Sequence, residues 1–202
     1  ALLKEARGSQ VAAKSYPPEL SLEKGESRVG VFVCHCGINI GAVVDVPAVA
    51  QYAAGLPGVV YAEANLYTCS QDTQEKIKAA VQERGINRVV VASCTPRTHE
   101  MLFQDTLKEV GLNPFMFEFV GIREQCSWVH SQEKEQATEK AKQLVAMGVS
   151  RARVLSPFHR SSFPVVKKAL VIGGGVAGTT AALAVADQGF ETFLVEREVE
   201  LG

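Results

Sequence analysis

From Val29 onward, short β-branched apolar runs alternate with stretches of helical periodicity, and this alternation restricts the chain to a parallel α/β architecture. The runs are Val29–Val33, Gly58–Ala64, Arg88–Ala92 and Phe115–Val120. Between them lie helical patterns over Val46–Ala54, Gln71–Arg84 and Thr95–Val110, ended by Gly55, Gly85 and Gly111. Ser70 and Thr95 stand at N-cap positions, the latter followed by Pro96 at the first helical position. A long helical region to about Met147 follows the fourth run. The spacing predicts a four-stranded parallel sheet with helices on both faces, its crossovers right-handed. No internal repeat is evident.

In a parallel sheet all strands point the same way, so the segments that follow them share one edge, where open α/β sheets place their ligands. All five cysteines fall there. Cys34 and Cys36 follow the first run, Cys69 the second, Cys94 the third and Cys126 the fourth. Cys69 and Cys94 precede helix N-termini, whose free N–H groups favour thiolate, and Arg97 and Arg123 are candidates for compensating charge.

What these thiols do depends on their compartment. The chain is 47 % hydrophobic and 21 % charged with net charge −1, which gives no bulk attraction to nucleic acid or anionic lipid. No apolar run approaches the roughly 18–20 residues that span a bilayer. The first residues lack a basic-plus-apolar secretion signal, so a cytoplasmic location is expected. An odd, irregularly spaced set of cysteines there argues against disulfides and for metal, cluster or redox chemistry. Four convergent thiolates hold either a [4Fe–4S] cluster or a tetrahedral zinc. Zinc sites usually draw on two C-x2-C pairs, and Cys34-His35-Cys36 is the only close pair, so the cluster is the better fit. Inert or reactive thiols are the remaining alternative. Five thiols for four places leave one over, and Cys34, last on its strand, is the candidate to face the core. Surface or hydrogen-bonded roles suit His35, His99 and His130 better than ligation, and a packing role suits Trp128.

A second signal lies near the end of the chain. The apolar run Ala169–Ile172 leads into Gly173-Gly174-Gly175-Val176-Ala177-Gly178, a G-x-G-x-x-G pattern. A small-residue helix, Thr179–Gln188, follows, and then a strand, Thr192–Val195, with Glu196 at its tip eighteen residues after Gly178. Strand, glycine turn, helix and acid together make the dinucleotide-binding fingerprint, whereas the six residues alone would be weak. Gly173 permits the tight turn, Gly175 lets the backbone approach a pyrophosphate, and Gly178 allows close helix–strand contact. Val176 and Ala177 lie within the glycine turn, ahead of the helix whose N-terminal N–H groups meet the phosphates, and Glu196 accepts from the ribose hydroxyls. Glu196-Arg197 and the acidic residues after it look like the entry to a flavoprotein loop, which favours FAD over NAD.

The expected domains are an arm or linker over 1–27, opening on a short helix, the cysteine-bearing α/β iron–sulfur domain over 28–147 and a connector over 148–166. The start of a truncated FAD-binding Rossmann domain then covers 167–202. A chain that begins at Ala1 and stops at Gly202 inside such a unit is expected to be a piece of something larger.

Val31-Phe32-Val33-Cys34-His35-Cys36-Gly37, Ala92-Ser93-Cys94-Thr95-Pro96-Arg97-Thr98-His99, Glu124-Gln125-Cys126-Ser127-Trp128-Val129-His130 and the glycine fingerprint resemble, in order, the heterodisulfide reductase A family. The resemblance covers Arg28 to Gly202. It implies an iron–sulfur, FAD-containing oxidoreductase subunit of anaerobic metabolism, in which flavin splits electron pairs between acceptors of different potential. It also implies an oligomeric redox complex with heterodisulfide reductase B/C-like subunits, hydrogenase or ferredoxin-type carriers. The family's further ferredoxin-like motif, C-x2-C-x2-C-x3-C, does not occur in these residues. Two rival readings are a zinc-bearing, non-catalytic docking module and a pyridine-nucleotide disulfide oxidoreductase, which would want a C-x-x-C pair absent here.

Overall fold

The structure is a computed structural model that describes residues 14–21 and 26–202. The short helix expected near the start of the arm lies outside the described residues. The chain divides into two compact units, one up to Phe158 and one from His159.

The first unit is the expected α/β layer structure. Strands β1 (Val29–Cys34), β2 (Val59–Asn65), β3 (Arg88–Ser93) and β4 (Phe117–Gly121) form one parallel sheet in the order β2-β1-β3-β4. A four-residue turn of helix, α1 (Ile38–Gly41), precedes α2 (Val46–Ala54) in the first crossover. α3 (Gln71–Arg84) and α4 (Pro96–Lys108) make the next two, and α5 (Lys134–Ala152) follows β4. The strand order reverses direction between β1 and β3, and a crevice opens at such a switch point beyond the strand ends.

Strand parity sorts the core into two layers. Val29, Val31, Val33, Val90, Ala92 and Val120 face α2 and α5. Phe32, Val89, Val91 and Phe117 face the other way, onto Ile77 and Val81 of α3 and Phe103 and Leu107 of α4. β1 is buried at every position, as a central parallel strand covered on both faces must be.

Two local expectations change. α5 runs to Ala152, five residues past its expected end, because Gly148 is a packing glycine rather than a helix stop. A Cβ there would collide with the Val120 side chain of β4. The described part of the arm lies against the α4–β4 corner. Leu20 N–H donates to Gly111 O at 2.7 Å, Asn113 Nδ2 to Glu19 Oε1 at 3.0 Å, and Lys14 pairs with Glu109 at 3.3 Å.

The second unit is a βαβ turn. β5 (Lys168–Ile172) and β6 (Glu191–Val195) pair in parallel, joined by α6 (Val176–Ala186). α6 begins three residues earlier than its small-residue pattern predicts, directly after Gly175.

Candidate functional site

Each strand of the first sheet delivers a cysteine to its C-terminal edge, and backbone contacts stitch the segments together there. Past β1, His35 N–H continues the ladder to Asn65 O of β2 at 2.8 Å. The chain then reverses at Cys36, the only non-glycine among the described residues with positive φ, at 47°. Such a conformation costs on the order of 1–3 kcal/mol and tends to mark functional corners. Past β2, Thr68 N–H reaches back to Cys34 Sγ at 3.3 Å, and the Cys36 N–H donates to the same sulfur at 3.2 Å. Past β4, Ile122 N–H bonds Ser93 O of β3 at 2.8 Å, which keeps the next turn beside Cys94.

That turn, Arg123–Ser127, is π-helical, with Ser127 N–H to Ile122 O at 3.1 Å and Trp128 N–H to Arg123 O at 2.9 Å. Single π-turns are uncommon and concentrate at functional sites. Ser127 Oγ donates to Asn39 O at 2.7 Å, tying the turn to α1. Arg123 Nη1 consequently lies 3.9 Å from Cys36 Sγ.

Four thiols are brought together and one is not. Burial pushes the Cys69 thiol up first, and the proximity of Cys34, Cys94 and Cys36 adds to it. Cys36 is also raised, by burial and by Cys34 and Cys94, with the Arg123 N–H opposing. Cys126, by contrast, is fully buried within the α2–α5 core layer and donates to Ala137 O at 3.0 Å. Burial raises it too, opposed by Lys140, and no other cysteine contributes. Cys126 is therefore a core-facing thiol; Cys34, the expected one, is buried too, but its sulfur meets the amide N–H groups of Cys36 and Thr68. The expectation that this edge favours free thiolates is corrected as well. Burial and mutual repulsion make ionising several of these thiols costly.

The other candidates separate cleanly. Arg97 is exposed, and the cation at the thiols is Arg123 alone among the described contacts. His130 is occupied on both ring nitrogens, by Glu133 at 3.1 Å and Lys140 at 3.3 Å, as the bland reading expects. Trp128 is 54 % exposed and packs on the Arg123 guanidinium, 4.7 Å from ring centre to Cζ, instead of in the core. Sequence reasoning passes over Thr68, whose Oγ1 is buried without a partner in the described structure, as is Asn65 Oδ1. Unpaired buried polar atoms are costly, and two at the rim of one thiol group mark a place built for something polar.

In the second unit, a Cβ on Gly178 would strike Gly173 O, so the close helix–strand contact admits glycine only. A Cβ on Gly175 would meet nothing within 4 Å, leaving its backbone open to approach. Glu196 accepts from the N–H groups of Gly174, Arg197 and Glu198, and its carboxyl is held below the usual range by the bonds from Glu198, Gly174 and Arg197. Val176 and Ala177 begin α6.

Residues 168–202 match the family model of an FAD binding domain. Over 172 residues, 85 % of this chain, it is 57 % identical to the A component of the H(2):CoB-CoM heterodisulfide,ferredoxin reductase of Methanothermobacter marburgensis. Over most of its length the chain is similar to heterodisulfide reductase A components. A second relative, the first of two iron-sulfur A components of CoB–CoM heterodisulfide reductase in Methanopyrus kandleri, is 51 % identical over 89 % of the chain. A third, the A component of the ferredoxin:CoB-CoM heterodisulfide reductase of Methanosarcina mazei, is 46 % identical over 87 %. The heterodisulfide reductase A-like chain spans about a quarter of these relatives, 26 %, 27 % and 22 % of their lengths. Among the described residues no helix is long and apolar enough to cross a membrane.

Proposed function

We propose that this chain is part of an iron–sulfur flavoprotein oxidoreductase of the heterodisulfide reductase A type. Its first unit holds a [4Fe–4S] cluster on Cys34, Cys36, Cys69 and Cys94, and its second begins the FAD site. The observation that carries the reading is the mutual proximity of those four thiols at the switch point between β1 and β3. The donor set fits the group. Coordination deprotonates thiols, and the positive charge of the iron would offset the burial and mutual repulsion that oppose ionisation of Cys36 and Cys69. The backbone N–H groups of Cys36 and Thr68 on Cys34 Sγ supply the polar contacts that sulfur ligands of such clusters take.

For FAD, the open backbone at Gly175 and the α6 N-terminus at Val176 and Ala177 would receive the pyrophosphate. Gly173 and Gly178 would shape the turn. Glu196 and Arg197 would face the adenosine ribose, Glu196 exchanging its own backbone N–H donors for hydroxyls. When bound, a cluster carries single electrons and a flavin one or two, so the pair joins one- and two-electron chemistry. The protein would work in the cytoplasm within a larger complex, with heterodisulfide reductase B/C-like subunits, hydrogenase or ferredoxin-type carriers as electron partners, and flavin-based splitting of electron pairs as the parent activity.

The test is quantification of iron, acid-labile sulfide, zinc and flavin on anaerobically reconstituted protein. About four iron and four sulfide per chain are expected, lost in Cys94→Ala. Zinc in place of iron, or full iron in Cys94→Ala, overturns the reading.

A further inference from the structure

Arg123 is the one cation that the described contacts place on the thiol group. It is anchored more firmly than a surface arginine needs to be. The π-turn fixes its backbone through the Ser127 and Trp128 amides, and Ser127 Oγ binds both Asn39 O and, at 3.2 Å, Arg123 O. The Trp128 ring covers one face of the guanidinium, and Glu124 pairs with Nη2 at 3.4 Å. Nη1 is left for Cys36 Sγ, and Nε is buried with no acceptor in the described structure. An arginine whose task was to hold the turn together would spend its donors on carbonyls. This one directs a donor to a sulfur.

We infer that Arg123 is a positioning residue that sets the reduction potential of the thiol-held centre, through an N–H···S contact to Cys36 and a fixed positive charge. The inference rests on the cluster reading above. Adding one electron to a thiolate-bound centre adds one negative charge. A cation next to a ligand sulfur stabilises that charge, as does an N–H donor that draws density from the sulfur. Both effects raise the potential. Partial burial keeps them from being screened away. Trp128 removes water from the exposed face of the guanidinium and so fixes the geometry.

The experiment is a potentiometric titration followed by EPR on the anaerobically reconstituted protein, with iron and sulfide measured on the same samples. Arg123→Met is expected to keep its iron and sulfide and to shift the midpoint to lower potential. Arg123→Lys, which keeps the charge but loses the planar fork, is expected to fall between Met and wild type. An Arg123→Met protein with full iron and the wild-type midpoint overturns the inference and leaves the cluster reading standing. Wild-type protein without iron overturns both. If Arg123→Met loses its iron, Arg123→Gln and Arg123→Lys decide: a lowered midpoint in either supports the inference, and an unchanged midpoint in both overturns it. Loss of iron in all three variants makes the role structural and also overturns it.

Discussion

The backbone N–H of Thr68 donates to the sulfur of Cys34 across 3.3 Å, although 34 residues separate them. The bond joins the segments that follow two neighbouring parallel strands, and the same residue carries a buried hydroxyl with no partner in the described structure. Removing that hydroxyl while keeping the shape is therefore informative. Thr68→Val should fold and retain iron, because the backbone donor remains. It should lower the midpoint potential if the hydroxyl bonds a ligand sulfur, as EPR-monitored titration would read. An unchanged midpoint would assign the hydroxyl to packing.

Cys126 should be dispensable for iron. Cys126→Ala deletes a buried sulfur bonded to Ala137 O, so a stability loss of about 1–2 kcal/mol is expected in urea unfolding. Iron per chain should be unchanged. Iron loss comparable to that of Cys94→Ala would return Cys126 to the ligand set.

The two thiols show where sequence reading reaches and where it stops. That every cysteine lies past a strand end is legible, because strand runs are short and β-branched and the parallel order follows from the helices between them. Which thiol turns inward is not legible. Cys34 ends a strand and parity would send it to one face, but the reversal at Cys36 and the return of Thr68 bring its sulfur to the edge. Cys126 looks like a loop residue in one dimension. The π-turn that carries it rotates its side chain onto Ala137, and nothing local in Arg123–Ser127 announces an i→i+5 bond.

Gly148→Ala should destabilise the protein. In an exposed helix interior this change gains about 1 kcal/mol from propensity. Here the added methyl meets Val120 within the α5–β4 contact, and overpacking of that kind costs roughly 1–3 kcal/mol. The net effect in urea unfolding should be a loss, and Gly148→Ala with Val120→Ala should recover part of it. The same glycine explains why the helix runs past its expected end: glycine reads as a stop unless its neighbour across space is known.

Acid should loosen the junction of the arm, α3 and α4. Glu109 accepts from Lys78 at 2.9 Å and Lys14 at 3.3 Å, and these partners, the Lys78 bond foremost, hold its carboxyl below the usual range. A lowered folded-state pKa means the contribution is complete above the ordinary carboxylate range. It is lost as pH falls through that range and below it. The pairs are partly solvated, so the effect should be about 0.5 kcal/mol. Glu109→Gln in the iron-free protein should lower stability near pH 7 by that amount and by progressively less as the pH is brought down through the carboxylate range, read by thermal unfolding.

The two glycines of the second unit should fail differently. Gly178→Ala cannot fit against Gly173 O and should disorder the turn itself, visible in amide exchange without ligand. Gly175→Ala has room and should leave the unliganded turn intact. It should weaken FAD at least tenfold, about 1.4 kcal/mol, by blocking the approach of phosphate to backbone, as flavin fluorescence would report. Equal FAD affinity in Gly175→Ala would move the phosphates elsewhere.

The π-turn after β4 makes chain length at that corner a form of information. With i→i+5 closure, Arg123 stands on one side of the turn and Trp128 comes round beneath it, while Ser127 meets Asn39. Deleting a single residue there would restore the ordinary helical repeat, turning every later side chain by roughly a quarter of a revolution. No substitution among these residues could reproduce that displacement. The corner therefore tolerates changes of letter far better than changes of count.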